Sequence, residues 1–404
     1  MAKFKAVLLL EGSSRLTGIF HELMAEEFKQ HDIELFSLDV NDQVRLQNNF
    51  MEAKNNSTYL FYMTINGFGL DIHATVNGKN VLVYEFIKTP VFNLQADPVF
   101  TNEMLQNAKI PFNPYLIDIV TDIFNIQWLA QLRGSVENIY HTPSSGIHVD
   151  LGNSDCIAIE NRKIDNLLCM SVSPPEFFRD RYVATLTKKQ TNLVKIFDGI
   201  VDTFESHLRS DPIVWVNTVF PTLRVRFNLS DDTHQRLISE VWHFIRMRRR
   251  IKLLNSLQDY PLNVVTNNDP CMQQIKIHKD TKLHKPINFD EFIGMLRNTK
   301  THILPPTQYG GFHERQIAGM YQSCVTISPP NRVFEEKLRH GKDLLIYNDI
   351  EAGLPSLMAQ INSNIDLQKE LSANAKEQSL KYFHTRNTTD RIINIFNVIS
   401  TKLK

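Results

Sequence analysis

Two successive series of short apolar runs, each parted from the next by a helix-spaced or turn-rich stretch, limit what this chain can fold into more than any other feature. The first series opens with "AVLLL", which ends in "EGSS". Ile19, Phe20, Leu23, Met24 and Phe28 then follow at helical spacing, and "IELFSL" completes one βαβ unit. "STYLFYMTI" is a continuous apolar run of the kind a strand buried on both faces shows, and it stops at "NGFG", where turn chemistry takes over. "PVFNLQ" and "YLIDIV" read as further strands. A helix from about Phe124 to Leu132 and a short strand, "ENIYH", lead to "TPSSG", a stretch of linker character. The second series begins with "NLLCMSVS" and continues through a largely helical stretch from about Pro175 to Asp259. It then alternates again through "PLNVV", "THILPP", "CVTIS" and "DLLIYN".

Strands alternating with helices imply parallel sheets, so an α/β chain of two Rossmann-like domains is expected. The length of 404 residues with 42% hydrophobic content agrees, because it exceeds what one core usually holds. We place the domains at residues 1–150 and 151–385, with a terminal helix over 386–404. In that helix Ile392, Ile395, Phe396, Ile399 and Leu403 make one apolar stripe, which must dock, and crossing back to the first domain is the expected solution.

The charge balance removes some function classes. With 44 basic and 44 acidic residues nothing draws the chain to nucleic acid or an anionic membrane. The four cysteines, Cys156, Cys169, Cys271 and Cys324, form no CxxC pair, which argues against a disulfide framework and a zinc site and suits a reducing cytoplasm. The N-terminal apolar run is too short for a signal peptide, and no later run is long enough to cross a bilayer. "FIRMRRRIKLL" carries Arg246, Arg248, Arg249, Arg250 and Lys252. In a neutral chain, on a helical pattern without interleaved aromatics, the run reads as a solvated or interdomain face rather than a nucleic-acid patch.

Ligands of parallel sheets bind beyond the carboxyl ends of the strands, so strand-end residues are the first candidates. In the first domain these are Glu11, Gly12 and Ser13, then Asn66 and Gly67, then Asp97, and finally His141. Turn geometry alone also accounts for Gly12 and Gly67. The second domain offers "GGFHERQIAGMY". Gly310 and Gly311 allow close backbone approach, and a helix starting near His313 points unpaired amides and its positive dipole end at that turn. Such a start binds phosphate, with His313 and Arg315 adding donors and Glu314 accepting from a sugar hydroxyl. The bland alternative is that Glu314 only complements the helix dipole.

The segment from about Asn166 to Leu403 resembles the C-terminal half of GT-B fold glycosyltransferases, in particular the spore-maturation CgeB-like group of the glycosyltransferase group 1 superfamily. The matching blocks, in order, are "RRRIKLLNSLQDYPLNVV", "HKPINFDEFIGMLRNTKTHI", "GGFHERQIAGMYQSCVTI", "EEKLRHGKDLLIYND" and "FHTRNTTDRI". The first half is similar through "NLQADPVF" and "IYHTPSSG". The resemblance implies two Rossmann-like domains facing across a cleft, the second binding a nucleotide-diphosphate sugar and the first presenting a protein, glycan or lipid acceptor. It implies that Gly310, Gly311, His313 and Glu314 surround the diphosphate and sugar. Arg315 would neutralise charge, and Tyr309, Asn331 and Ser171 are further donor-binding candidates, with Gly12, Asn66 and His141 from the first domain. Ala318 departs from the pattern, standing where related enzymes often carry a ribose-binding glutamate, which leaves the nucleotide open.

Breaking a glycosidic bond to a diphosphate builds negative charge on the leaving phosphate, and fixed donors aimed there lower the barrier. No Asp-x-Asp pair occurs, and Asp231 and Asp232 read as a helix cap, so a metal-independent transfer without cofactor is expected. An inverting reaction needs a base, for which Asp97 ranks ahead of Glu11 and His141, with His313 and Glu314 as the other catalytic candidates. A retaining reaction needs no such base. A non-catalytic nucleotide-sugar or glycan-binding module and a nucleotide-sugar epimerase on the same fold remain alternatives.

Overall fold

The structure, a computed structural model, describes residues 3–12, 15–101, 104–143, 157–267, 269–312 and 314–403. It separates into two compact units, Met1–Ile147 with His384–Lys404, and His148–Phe383. The stretch "SSG" of the expected linker lies outside the described residues.

In chain order the first unit contains β1 (Phe4–Leu10), α1 (Arg15–Lys29), β2 (Ile33–Asp39), α2 (Gln43–Asn55), β3 (Tyr59–Ile65), β4 (His73–Val76), β5 (Lys79–Leu82), α3 (Val83–Ile87), β6 (Val91–Gln95), α4 (Leu105–Ala108), β7 (Leu116–Val120), α5 (Asn125–Arg133) and β8 (Ile139–His141). Six strands make a parallel sheet in the order β2-β1-β3-β6-β7-β8. β3 and β6 sit inside the sheet, which is why "YLFYMTI" reads as a continuous rather than alternating apolar run and why every residue of "VFNLQ", Asn93 and Gln95 included, is buried. The hairpin β4–β5 turns at Asn77 and Gly78, whose φ values of 49° and 76° match a type I′ turn. The helix Thr385–Lys402 belongs to this unit. Its Ile392, Ile395 and Ile399 are buried in the same cluster as Phe28, Phe61 and Phe92, and Phe396 lies 5.4 Å from the Phe61 ring. Burying such a side chain contributes about 1.5–3 kcal/mol, so the stripe anchors the end of the chain here. Beneath β6 and β7, Arg133 and Asp118 form a buried pair at 2.5 Å, with Asn93 donating to the same carboxylate at 2.8 Å.

The second unit contains β9 (Ile164–Cys169), α6 (Pro175–Val183), α7 (Asn192–Phe204), α8 (Pro212–Thr222), α9 (Asp232–Ser256), β10 (Asn263–Val265), β11 (Lys282–His284), α10 (Phe289–Arg297), β12 (Thr299–Ile303), α11 (Glu314–Tyr321), β13 (Val325–Ser328), α12 (Arg332–Lys337), β14 (Leu345–Ile346), α13 (Gly353–Asn362) and α14 (Ile365–Phe383). Its parallel sheet runs β11-β10-β9-β12-β13-β14, the order of a dinucleotide-binding sheet. Asp231 accepts from Thr233 and His234 backbone amides and caps α9, as its position in "SDDTH" suggested. Buried Arg162 ties strand ends together by donating to the carbonyls of Ile157, Thr299, Gln322 and Ser323.

The expectation of a solvated arginine face on α9 is corrected by this unit. Arg249 and Arg250 are each only 4% exposed. α9 is packed on several sides, so its basic run cannot all face water. Arg249 spends its donors on the carbonyls of Phe204, Glu205 and His207, which close the end of α7.

Candidate functional site

In the second unit the chain leaves β9 to build β10 and β11 on one side, then returns to build β12 on the other. The strand order therefore reverses between β9 and β12, and a crevice at their carboxyl ends is where ligands of such sheets bind. Met170 and Ser171 follow β9, and the loop 304–312 follows β12.

α9 brings Arg250 to this point, where its Nη1 donates to the Ser171 carbonyl at 2.7 Å. The Nε of Arg250 is buried with no hydrogen-bond partner. Burial first, and then the like charges of Arg246 and Arg315, hold its guanidinium well below its ordinary basicity. Arg246, one helical turn before Arg250, lines a small recess together with Trp242, Pro306, Thr307 and Gln308, so α9 lies against the loop after β12. Arg315 enters from the first turn of α11, with its side chain half-exposed. Its charge reaches the Cys169 thiol at the end of β9, where it opposes the burial that pushes that thiol up to about 12. It also acts on His302 in β12, whose pKa burial and Arg315 together lower to about 3. Three arginines thus converge on the reversal point, one with a buried, unsatisfied N–H. Arg250, buried, carries the like charges of Arg246 and the half-exposed Arg315 beside it, a cost that an anion next to it would relieve.

The glycine turn ahead of α11 is held rather than loose. Asn331 is 1% exposed, and its amide donates to the carbonyls of Gly311 and Gln308 while its oxygen accepts from the Phe334 backbone. Asn331 is therefore a positioning residue for the Gly310–Gly311 turn. Tyr309 donates its hydroxyl to Glu335 at 2.9 Å, Arg209 donates to the same carboxylate at 2.6 Å, and the Arg332 amide bonds the Tyr309 carbonyl at 2.8 Å. Gly310 and Gly311 are buried, Glu314 half-buried and Ser171 exposed. His313 lies outside the described residues. Ala318, the departure from the glycosyltransferase pattern, is fully buried in a cluster with Leu167, Cys169 and Cys324. A glutamate at that position of this helix would face the core and not a ribose.

In the first unit the reversal falls between β1 and β3. Gly12 follows β1 with φ 67°, and its amide donates to Asp39 at 3.4 Å. Asn66 follows β3 with φ 54°. Its side-chain oxygen accepts from the amides of Ala96 and Asp97, and its nitrogen donates to the Asp97 carboxylate at 2.7 Å. Asn66 thereby fixes the exposed Asp97 beside the ends of β3 and β6. Glu11 is exposed. His141 is set apart from this group, because it ends β8, the edge strand, two strands beyond β6.

One group went unread in the sequence, and another, Arg250, reads there only as part of a solvated or interdomain face. Asp122, two residues past β7, is 2% exposed, and burial pushes its carboxyl up to about 6 despite the Phe124 amide bonded to it. It follows "YLIDIV" as Asp97 follows "PVFNLQ", so the strand-end rule could have found it. Arg250 carried only the i, i+4 spacing with Arg246 as a signal. Among the described residues no group of three or more His, Cys, Asp or Glu is placed to hold a metal ion. No helix among them is long and apolar enough to cross a membrane.

No protein-family model matches the sequence, and no curated protein matches it either. Solved structures do resemble the fold. The DNA-modifying enzyme beta-glucosyltransferase, solved with and without uridine diphosphoglucose, superposes with TM-score 0.53 at 10% identity, over 98% of this chain and 99% of that one. Sucrose-phosphate synthase from Thermosynechococcus elongatus gives TM-score 0.52 at 10% identity, over 99% and 100%. HepE of Anabaena, in complex with UDP and glucose, gives 0.51 at 9%, over 98% and 100%. These likenesses show the fold: two Rossmann-like parallel-sheet domains of the GT-B glycosyltransferase class.

Proposed function

We propose that this chain is a glycosyltransferase that moves a sugar from a nucleotide-diphosphate sugar to a protein, glycan or lipid acceptor, and that it belongs to the CgeB-like group. The observation that carries the reading is the convergence of Arg246, Arg250 and Arg315 on the strand-order reversal between β9 and β12. A nucleoside diphosphate is an anion that suits such a cluster, in the crevice that such sheets use for nucleotides. The solved structures of the same fold include complexes with UDP and glucose and with UDP and Mn2+, which supports a uridine nucleotide among the donors to try first.

In this reading the pyrophosphate lies against the arginines and the start of α11, with Glu314 accepting from the sugar. As the bond between the anomeric carbon and the phosphate oxygen breaks, the electron pair leaves with the diphosphate, and the guanidinium groups stabilise it. That role needs no divalent cation, so the transfer is metal-independent. An inverting transfer needs a base that removes the acceptor hydroxyl proton as its oxygen attacks the anomeric carbon, and Asp97, oriented by Asn66, is the first unit's candidate for it. The buried thiols Cys169, Cys271 and Cys324 suit a reducing compartment, and the reading places the protein in the cytoplasm.

Calorimetric titration with uridine, guanosine and thymidine diphosphates tests the site. The wild type should bind at least one, and Arg250→Met and the half-exposed Arg315→Ala should each weaken it about tenfold or more, roughly 1.4 kcal/mol. No binding, or unchanged binding in a folded Arg315→Ala variant, overturns the assignment. Tight binding of the matching nucleotide sugar with no release of free nucleotide over hours would replace the enzyme with a binding module.

A further inference from the structure

A cavity of about 720 Å³ opens in the second unit, away from the arginine cluster, between α9, the start of α6 and the turn Pro270–Gln274. Its size falls in the range of small-molecule sites. The α9 residues that line it are Arg248, Ile251, Lys252 and Asn255. Spaced by three and four, they share one helix face, while Arg246 and Arg250 occupy another, so the cavity and the diphosphate crevice lie on different sides of the same helix.

The cavity is built from fixed parts. Next to it Asn267 bonds both the amide and the carbonyl of Val172 at 2.8 Å, which ties the loop after β10 to the loop after β9. Asp269 accepts from the Cys271 amide at 2.9 Å. The two basic groups around it are already paired: Arg248 with Glu205 at 3.0 Å, and Lys252 with Glu351 at 3.3 Å. An anionic ligand would face Glu176, Glu205 and Asp269, and a cationic one Arg248 and Lys252. A neutral ligand that offers both donors and acceptors meets neither penalty. Between the polar groups stand aliphatic side chains, Ile251, Pro270 and Ile275, against which the C–H groups of a sugar ring can pack.

From this arrangement we infer that the cavity is a second binding site, for a neutral polyhydroxylated ligand of one or two sugar rings. The inference stands apart from the donor reading, since none of its residues belongs to the arginine cluster. It is tested on the full-length protein by saturation-transfer NMR with glucose, maltose, cellobiose and lactose, with nucleoside diphosphate titrated separately. At least one sugar should receive saturation. Ile251→Trp, which fills the space, should cut its affinity at least tenfold, and Glu176→Ala, a change at an exposed position, about threefold. Diphosphate affinity should stay within twofold in both variants. Should Ile251→Trp fail to fold, Glu176→Ala and a Gln274→Ala variant decide alone. Transfer to none of the four sugars, or transfer unchanged in the folded variants, overturns the site whatever the nucleotide result.

Discussion

Gly319 sits in the middle of α11, where general helix propensity says that alanine should be better by about 1 kcal/mol. The structure reverses that sign. A Cβ built at Gly319 would fall far inside contact distance of the His302 Nδ1, with the ring Cγ at 3.2 Å and Cε1 at 3.3 Å. His302 is 1% exposed in β12 with the Phe292 ring 6.0 Å away, so the imidazole has little room to retreat. Overpacking a filled interior costs about 1–3 kcal/mol, and an overlap this deep belongs at the upper end. Gly319→Ala should therefore destabilise the second unit by about 2 kcal/mol net, a fall of about 4–8 °C in its melting transition. Arg315 lies one turn earlier on the same helix, so nucleoside diphosphate affinity should drop as the helix is pushed from the strand. The cause is separable by a double-mutant cycle followed by thermal and urea unfolding. In a His302→Ala background the overlap is gone, only the propensity gain remains, and Gly319→Ala should become stabilising by about 1 kcal/mol. That is a coupling of about 3 kcal/mol. A Gly319→Ala protein melting at or above the wild type refutes the reasoning, as does an equal penalty in both backgrounds.

Three further outcomes are expected. His302 is held neutral, its pKa near 3 against an ordinary 6.5, so the unfolded chain binds the extra proton in that window. Its contribution is complete above pH 6.5 and is lost as pH falls toward 3, and His302→Gln should flatten that part of the second unit's stability profile in acid unfolding. Asp118→Asn leaves Arg133 buried without its carboxylate and should cost about 3–5 kcal/mol in urea unfolding, whereas Glu52→Gln, at the partly exposed pair with Lys5, should cost under about 1 kcal/mol. Asn331→Ala removes the cap of α12, worth about 1 kcal/mol, and releases the Gly310–Gly311 turn. Its melting point should fall by a few degrees while diphosphate affinity, measured by calorimetry, weakens about tenfold or more.

The periodicity of the chain settled its class, because the pattern that makes a strand or a helix is carried by residues within a few positions of each other. "AVLLL", "STYLFYMTI" and "CVTIS" each became a parallel strand, and the stripe from Ile392 to Leu403 became a helix buried against the first sheet. The same local logic reached Asp97, Asn66, Gly12 and the start of α11, since each directly follows a strand or opens a helix. It also contained signals that went unread: "HATVNGKNVL" holds an Asn-Gly turn between two β-rich runs, and Asp122 stands at a strand end like Asp97. Other assignments depended on which face of an element meets which neighbour, and no window of sequence carries that. Whether Arg250 faces water or the end of β9 is decided by the carbonyl of Ser171, 79 positions away. Whether Asn331 touches a ligand or pins a turn is decided by Gly311, 20 positions away, and Ala318 turns inward because Leu167 and Cys324 close over that side of α11. A basic run on a helix looks the same in sequence whether it is solvated or buried. Desolvation and the nearness of like charges, on which the proposed anion site rests, exist only once distant segments have packed.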